Sequence, residues 1–412
     1  MARVVALVLL AASAAAGCQP RSLPPPSTLA LVGGRVYTAP DAAPIDRAVV
    51  LIQAGRIVTV GPLSDTSIPP AATRIDCAGL VIAAGFQNSH VHFTPPGWTV
   101  SPAARGDEVT AALQAMLTRW GFTTVIDTAS DPATTGMLRE RIESGELPGP
   151  RILTAGTALY PPDGVPYYVR DALPTEVVKR LPQPATPDEA VAAVRQRATE
   201  RDLVKLFVGS WVTRDTVRPM PDDIALAAVR EAHAARKLVF AHPSNVAGLE
   251  VALRAGVDVV AHAVEDTAGF TPAHLQRMRQ QNVGVVPTLK LFGGRSHIVA
   301  WVRYYAAAGG QILFGTDVGY LSDFDPAEEY ALMAAAGMGY RDTLAALTTS
   351  PALRFGETGR RGRVAPGLDA DLVVLGADPA GDARAFADVR YTIRGGKVIY
   401  TSSPQSAAIQ KD

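Results

Sequence analysis

The chain has 412 residues, 48% of them apolar and 19% charged, with a slightly positive mean hydropathy of +0.12. This excludes disorder, which needs low hydrophobicity and high net charge, and 39 basic against 39 acidic residues leave no basic field to gather nucleic acid. The only long apolar run stands at the very start, which excludes a polytopic membrane protein, and two cysteines cannot supply a disulfide framework.

Arg3 is followed by an apolar run from Val4 to Ala12, too short to span a bilayer and suited to the core of an export signal. The run leads into Ala15-Ala16-Gly17-Cys18, which resembles the lipobox of bacterial lipoproteins. That resemblance implies a lipoprotein signal peptide over 1–18 and a lipid on Cys18. Residues 19–28 then form a tether that three consecutive prolines hold extended. The alternative is an ordinary cleaved signal with a chance cysteine. On the lipobox reading the protein is exported and faces the periplasm or the cell exterior, touching the membrane only through Cys18. Cys77 becomes the sole thiol, expected as a small buried filler.

From Leu29 onward, short β-type runs alternate with turn residues up to Gly79, and similar material returns in DADLVVLGADP and VRYTIRGGKVIY. These pieces, 29–82 and 361–402, are expected to form one small β-sandwich domain built from both termini, followed by a tail at 403–412. Between them, apolar runs alternate with segments whose apolar positions recur at helical spacing. The runs are LVIAAGF, TTVIDT, RILTAG, LVKLFV, LVFAH, VDVVAH, VGVVPT and QILFGTD. Eight strands alternating with helices over about 270 residues match the size and order of a (β/α)8 TIM-like barrel, expected over 83–360. An open doubly wound sheet is the second choice, but no G-x-G-x-x-G follows the first strand.

Chemistry in such barrels gathers at the C-terminal ends of the strands. There stand His90 and His92 past the first run, Lys205 in the fourth, His242 and His262 closing the fifth and sixth, and Asp317 closing the eighth. Residues two apart on a strand share a face, so His90 and His92 can reach one ion, and imidazole with carboxylate suits Zn2+. Lys205 is flanked by Val204, Leu206, Phe207 and Val208; it is either paired with a carboxylate or buried as a neutral amine. His233, His274 and His297 fall in helical segments and read as structural.

This set resembles the amidohydrolase superfamily of metal-dependent hydrolases, closest to the subgroup of imidazolonepropionase and Xaa-Pro dipeptidase-like enzymes. GFQNSHVHF, GFTTVIDTAS, GELPGPRIL, ILFGTDVG and APGLDADLVVL carry the likeness, which runs from about Leu29 to Tyr400. Two departures stand at the first strand, where Ala84 replaces the usual Pro and Asn88 the usual Asp. The resemblance implies two divalent cations, Zn2+ by donor chemistry, with His90, His92 and Asp317 on one and His242 and His262 on the other. A CO2-derived carbamate on Lys205 would bridge them.

The implied reaction is hydrolysis of an amide or peptide-type C–N bond in a small molecule by metal-bound hydroxide, with Asp317 as base and then acid. The segment YPPDGVPYYVRD offers Tyr167, Tyr168 and Arg170 to a substrate, Tyr320 is placed for an oxyanion, and Trp211 follows the fourth strand. Three rivals stand beside this reading. A mononuclear deaminase or cyclic-amide hydrolase would use His90, His92, His242 and Asp317 on one ion, with His262 on substrate. A lactonase- or phosphotriesterase-like enzyme would differ in its leaving group. A lipoprotein that binds without turnover is the third. The expected partner is a small-molecule substrate, with no nucleic acid and with self-association left open.

Overall fold

The computed structural model describes residues 27–196 and 198–402. The expected signal peptide, Cys18, nearly all of the tether and the 403–412 tail lie outside the described residues. Among the described residues no helix is long and apolar enough to cross a membrane.

The first five strands are β1 (Thr28–Val36), β2 (Ile45–Gln53), β3 (Arg56–Pro62), β4 (Thr73–Asp76) and β5 (Val81–Ala84). After β6 (Phe86–Val91), β7 (Phe122–Asp127) and β8 (Arg151–Thr154) come β9 (Leu203–Phe207), β10 (Gly209–Trp211), β11 (Val217–Pro219), β12 (Leu238–His242), β13 (Val259–Ala261) and β14 (Gly284–Val286). The last three are β15 (Leu372–Leu375), β16 (Val389–Arg394) and β17 (Lys397–Thr401). Strands from both ends of the chain meet in one eight-stranded mixed sheet in the order β17-β16-β15-β5-β1-β2-β3, with β4 also on β1. The expected β-sandwich is therefore one connected sheet. The cause lies in β1, whose register shifts around Gly34. Its first half pairs with β4 and its second half with β5, so no separate second sheet forms. Cys77 is buried in this sheet's core with Leu31, Ile82 and Ile393.

The middle of the chain forms two parallel sheets, β6-β7-β8 and β14-β13-β12-β9, whose neighbours follow in chain order. Each step is a right-sized βαβ unit. Val246–Ala255, for example, runs between β12 and β13, capped by Asn245 and stopped by left-handed Gly256; Pro187–Arg195, which leads from β8 of one sheet to β9 of the other, is capped by the Thr186 side chain, which accepts from the Glu189 N–H. On β9, Val204 and Leu206 pack outward into the layer shared with the helices, while Leu203 joins Phe240, Val259 and Val286 in an inner cluster. The period of two therefore turns Lys205 inward with Leu203.

Two sequence expectations are corrected here. The run LVIAAGF is split: Val81–Ala84 belongs to the mixed sheet, and the first strand of the parallel arcs is Phe86–Val91. His90 thus lies within a strand and not past one. The ladder also does not close continuously. The run 312–318 forms no strand, and the arcs meet only through single bridges at Leu159↔Leu206, Val285↔Ile312 and Val91↔Val318. Left-handed backbone at Gly156 and Asp317 turns the chain away before further rungs can form.

The last segment nevertheless runs hard against the first strand. Asp317 N–H donates to the His90 carbonyl at 2.9 Å and His92 N–H to the Val318 carbonyl at 2.8 Å. A Cβ on Gly319 (φ +104) would sit 1.9 Å from the His92 carbonyl oxygen. Gly319→Ala should therefore cost about 3 kcal/mol or more, since overpacking and a forbidden φ add. Gly79→Ala, with φ +76 but nothing within 4 Å, should cost roughly 1 kcal/mol. Equal losses in denaturant melts would show that the close approach to His92 does not constrain the fold.

Candidate metal centre

Six side chains from five segments converge at the C-terminal end of the parallel arcs. Asp317 Oδ1 lies 3.2 Å from His90 Nε2 and 2.9 Å from His92 Nε2, and one ligand atom from each of the three residues lies within 4.8 Å of the others. The His90 ring stands 4.3 Å from that of His262, which in turn stands 4.9 Å from His242. His242 stacks on Phe207 at 4.6 Å, and the Lys205 Nζ lies 5.6 Å from the centre of the same Phe207 ring. His90, His262, Lys205 and Asp317 are all buried.

The polar atoms in this group lack ordinary partners. His90 Nδ1 and Nε2, His242 Nδ1 and Asp317 Oδ1 are buried without a hydrogen bond; the short His–Asp contacts bring lone pairs together without hydrogen-bond alignment. Buried polar atoms in native proteins are normally satisfied. Orphaned imidazole nitrogens beside an orphaned carboxylate oxygen are a donor set that fits a borderline divalent cation.

Two rings are already turned for ligation. His92 Nδ1–H donates to the Ala129 carbonyl at 2.8 Å, leaving Nε2 toward Asp317. The Thr288 hydroxyl donates to the Pro287 carbonyl at 2.8 Å and accepts from His262 Nδ1 at 2.6 Å, leaving His262 Nε2 with a free lone pair. Such partners fix tautomer and ring orientation in metal sites.

Burial sets the protonation states. It pulls His90 down to about 3, with the Lys205 charge adding to the effect, and it holds His242 and His262 well below the ordinary range. These rings are therefore neutral, the form that ligates. Burial alone would lower His92 and raise Asp317; at Asp317 the surrounding His262 and His90 rings, and then His92, outweigh it and hold the carboxyl well below the usual range, and at His92 the contact with Asp317 outweighs it.

Lys205 is pulled down to about 7 by burial, opposed by Asp317. Among the described residues it forms no ion pair, and its Nζ hydrogen-bonds only to the Ala261 carbonyl at 3.3 Å. The carboxylate-paired alternative is not what the structure contains.

The residues suggested for substrate differ in what they touch. Tyr167 and Tyr168 lie on a short helix, Tyr167–Ala172, inside the segment expected as a loop. Tyr168 meets Tyr320 edge to face at 5.7 Å, and Tyr320 is exposed. The exposed Arg170 instead donates from Nη2 to the Val212 carbonyl at 2.6 Å. Trp211 Nε1 donates to Glu265 at 3.0 Å, and Glu265 also holds Arg295. His233, His274 and His297 lie on helices, as expected. His233 and His274 pair with Asp258 and Glu250, and His297 bonds the Glu265 carbonyl.

Sequence reading missed Ala129, Thr288, Gly315 and Gly319. Only the two glycines left a trace, in GTDVG. Asn88 does not supply a carboxylate, but its amide donates to Thr316 Oγ1 at 2.8 Å and its oxygen accepts from His90 N–H. It thereby ties the strand bearing His90 to the residue before Asp317.

The chain is similar to known proteins in sequence and in fold. A Mycobacterium bovis protein described as uncharacterised is 28% identical over 259 residues, covering 56% of this chain and 64% of that protein; the match spans under two thirds of that relative's length. A Xaa-Pro dipeptidase solved with methionine in its active site superposes with a TM-score of 0.77 at 22% identity, over 91% of this chain and 100% of the other. A prolidase solved with N-methylphosphonate-L-proline gives 0.76 at 25% identity, again over 91% and 100%. The model of the amidohydrolase family matches residues 81–399, a span that holds all six converging side chains, and the chain belongs to that family.

Proposed function

We propose that this protein is a metal-dependent hydrolase that cleaves the C–N bond of an amide in a small molecule, with two divalent cations bridged by carboxylated Lys205. The observation that carries this reading is the set of buried, unpartnered nitrogens and carboxylate oxygen at one end of the parallel arcs. The two arcs then act as one (β/α)8 barrel, with the bridges at Leu206, Ile312 and Val318 joining them.

His90, His92 and Asp317 would hold one ion and His242 and His262 the other. Bound there, divalent cations polarise a carbonyl and lower the pKa of water. The neutral Lys205 amine adds to CO2 and loses one proton, which yields a carbamate with two donor oxygens where a lone ammonium would be out of place. Asp317 accepts the proton from the attacking water and passes it to the leaving nitrogen as the C–N bond breaks, giving a carboxylate and an amine. Tyr320 would donate to the developing oxyanion, and Tyr167 and Tyr168 would line the approach.

A second reading is a single-ion deaminase or cyclic-amide hydrolase. It is favoured by one fact: among the described residues, only His90, His92 and Asp317 bring ligand atoms within 4.8 Å of one another. Outside the described residues, Cys18 is proposed as a lipid anchor that holds the enzyme on the periplasmic or outer side of the membrane. Its motivation is the sequence AAGC after a short apolar run.

Protein purified without chelator should contain close to two equivalents of divalent metal by elemental analysis. Lys205→Ala should lose most of the second ion and of the turnover, with partial recovery from added metal and short carboxylic acids. One tightly held ion and normal turnover in Lys205→Ala would instead establish the single-ion reading. Asp317→Asn keeps shape but removes the basic oxygen, so kcat should fall by about 10²–10⁴-fold at retained metal. A fall below about tenfold, with kcat, KM and metal measured together, would remove Asp317 from the proton transfer. Cys18→Ser should release the protein from membranes and abolish labelling by fatty acid; a Ser variant that stays membrane-bound sinks the anchor.

A further inference from the structure

Glu329 is a buried carboxylate, 1% exposed, that takes no part in the chemistry above. It lies on the helix Ala327–Ala335 and points back at the short 3₁₀ turn Leu289–Phe292. Its two oxygens accept from the backbone N–H of Leu289 at 2.8 Å and of Lys290 at 2.7 Å. A carboxylate receiving two N–H groups at the start of a helical turn satisfies donors that have no partner inside the turn.

The residue before that turn is Thr288, whose backbone is left-handed at φ +46, ψ +52. A β-branched residue adopts this conformation only when its surroundings impose it. The imposed backbone is what brings the Thr288 hydroxyl to His262 Nδ1 at 2.6 Å. His262 needs such help, because it stands one residue beyond β13, where Val259 and Ala261 occupy the inner face and strict alternation would turn it outward. Lys290 strengthens the same joint. Its ammonium pairs with Asp323 at 2.7 Å and donates to the Asp325 carbonyl at 2.7 Å, on the segment that leads from Asp317 and Tyr320 to Glu329.

We propose that Glu329 is a positioning residue for the metal centre: by clamping the turn at 289–290 it holds Thr288 left-handed, and so aims His262 Nε2 at the ion it shares with His242. This rests on the two-ion reading. Loss of the clamp should weaken the ion held by His242 and His262 and leave the one at His90, His92 and Asp317 in place.

The test is a titration of chelator-stripped full chain with Co2+, followed by visible absorption and by competition with a chromophoric chelator, with melting temperature recorded in parallel. Glu329→Gln keeps the size of the side chain but presents an amide NH2 to a backbone N–H. It should bind the first ion like the parent and the second about 10–100-fold more weakly, the usual cost of removing an outer partner, with altered d–d bands on the second addition. Thr288→Val removes the hydroxyl at His262 and should do the same. The double variant should be no worse than Thr288→Val alone, since both act through one contact. Unchanged affinity for both ions in Glu329→Gln, or losses that multiply in the double variant, would overturn the proposal. If Glu329→Gln does not fold, unchanged binding in Thr288→Val overturns it alone. A parent that binds no Co2+ would instead overturn the metal reading itself.

Discussion

The open end of this molecule is governed by one electrostatic constraint: nitrogen and oxygen lone pairs are packed together without hydrogen-bond partners from the protein. His90 and Asp317 are almost wholly buried, and their facing atoms have no hydrogen-bond partner. An arrangement of this kind is unfavourable by itself, because each unsatisfied buried polar atom costs about 1–3 kcal/mol. A proton on one of the rings would relieve part of it. A divalent cation relieves far more, which ties the stability of this end of the fold to the same group that would carry the chemistry.

The scaffold accepts local strain to hold those atoms in place. Thr288 and Asp317 are both left-handed without being glycine. Each sits where the chain leaves the parallel arcs, and each touches the site directly. Gly315 and Gly319 bracket Asp317 because nothing larger fits: a Cβ on Gly315 would come within 2.3 Å of Val286 and 2.9 Å of the His90 Cβ. The last run therefore gives up regular strand pairing in exchange for contact with the first. That exchange explains why its hydrogen bonds to His90 and His92 survive although no ladder is formed.

Much of this was legible in the amino-acid sequence, for physical reasons that differ between parts. Period-two and helical patterns showed the alternating core, because burial on one face leaves its mark on every second residue of a strand. His90, His92, Lys205, His242, His262 and Asp317 stood out because polar residues at the ends of apolar runs need a reason to be there. Three things were hidden. The division between β5 and β6 turns on Gly85, which a continuous apolar run conceals. The pairing of β1 with two partners depends on a bulge, and bulges leave only a glycine pair as a trace. Thr288, Ala129 and Glu329 act through backbone conformation and hydrogen bonds set by tertiary contacts, which no local pattern encodes.

The central claim is that these six side chains form a cation site built into the folded state. A ligand that binds only the native protein stabilises it by about 2.7 kcal/mol at one hundred times its dissociation constant. The most direct measurement is thermal unfolding of chelator-stripped protein with and without Zn2+, beside His90→Ala. A cation site predicts a melting temperature several degrees higher with Zn2+ in the parent and a much smaller rise in His90→Ala. An unchanged parent, or an equal rise in His90→Ala, would contradict it.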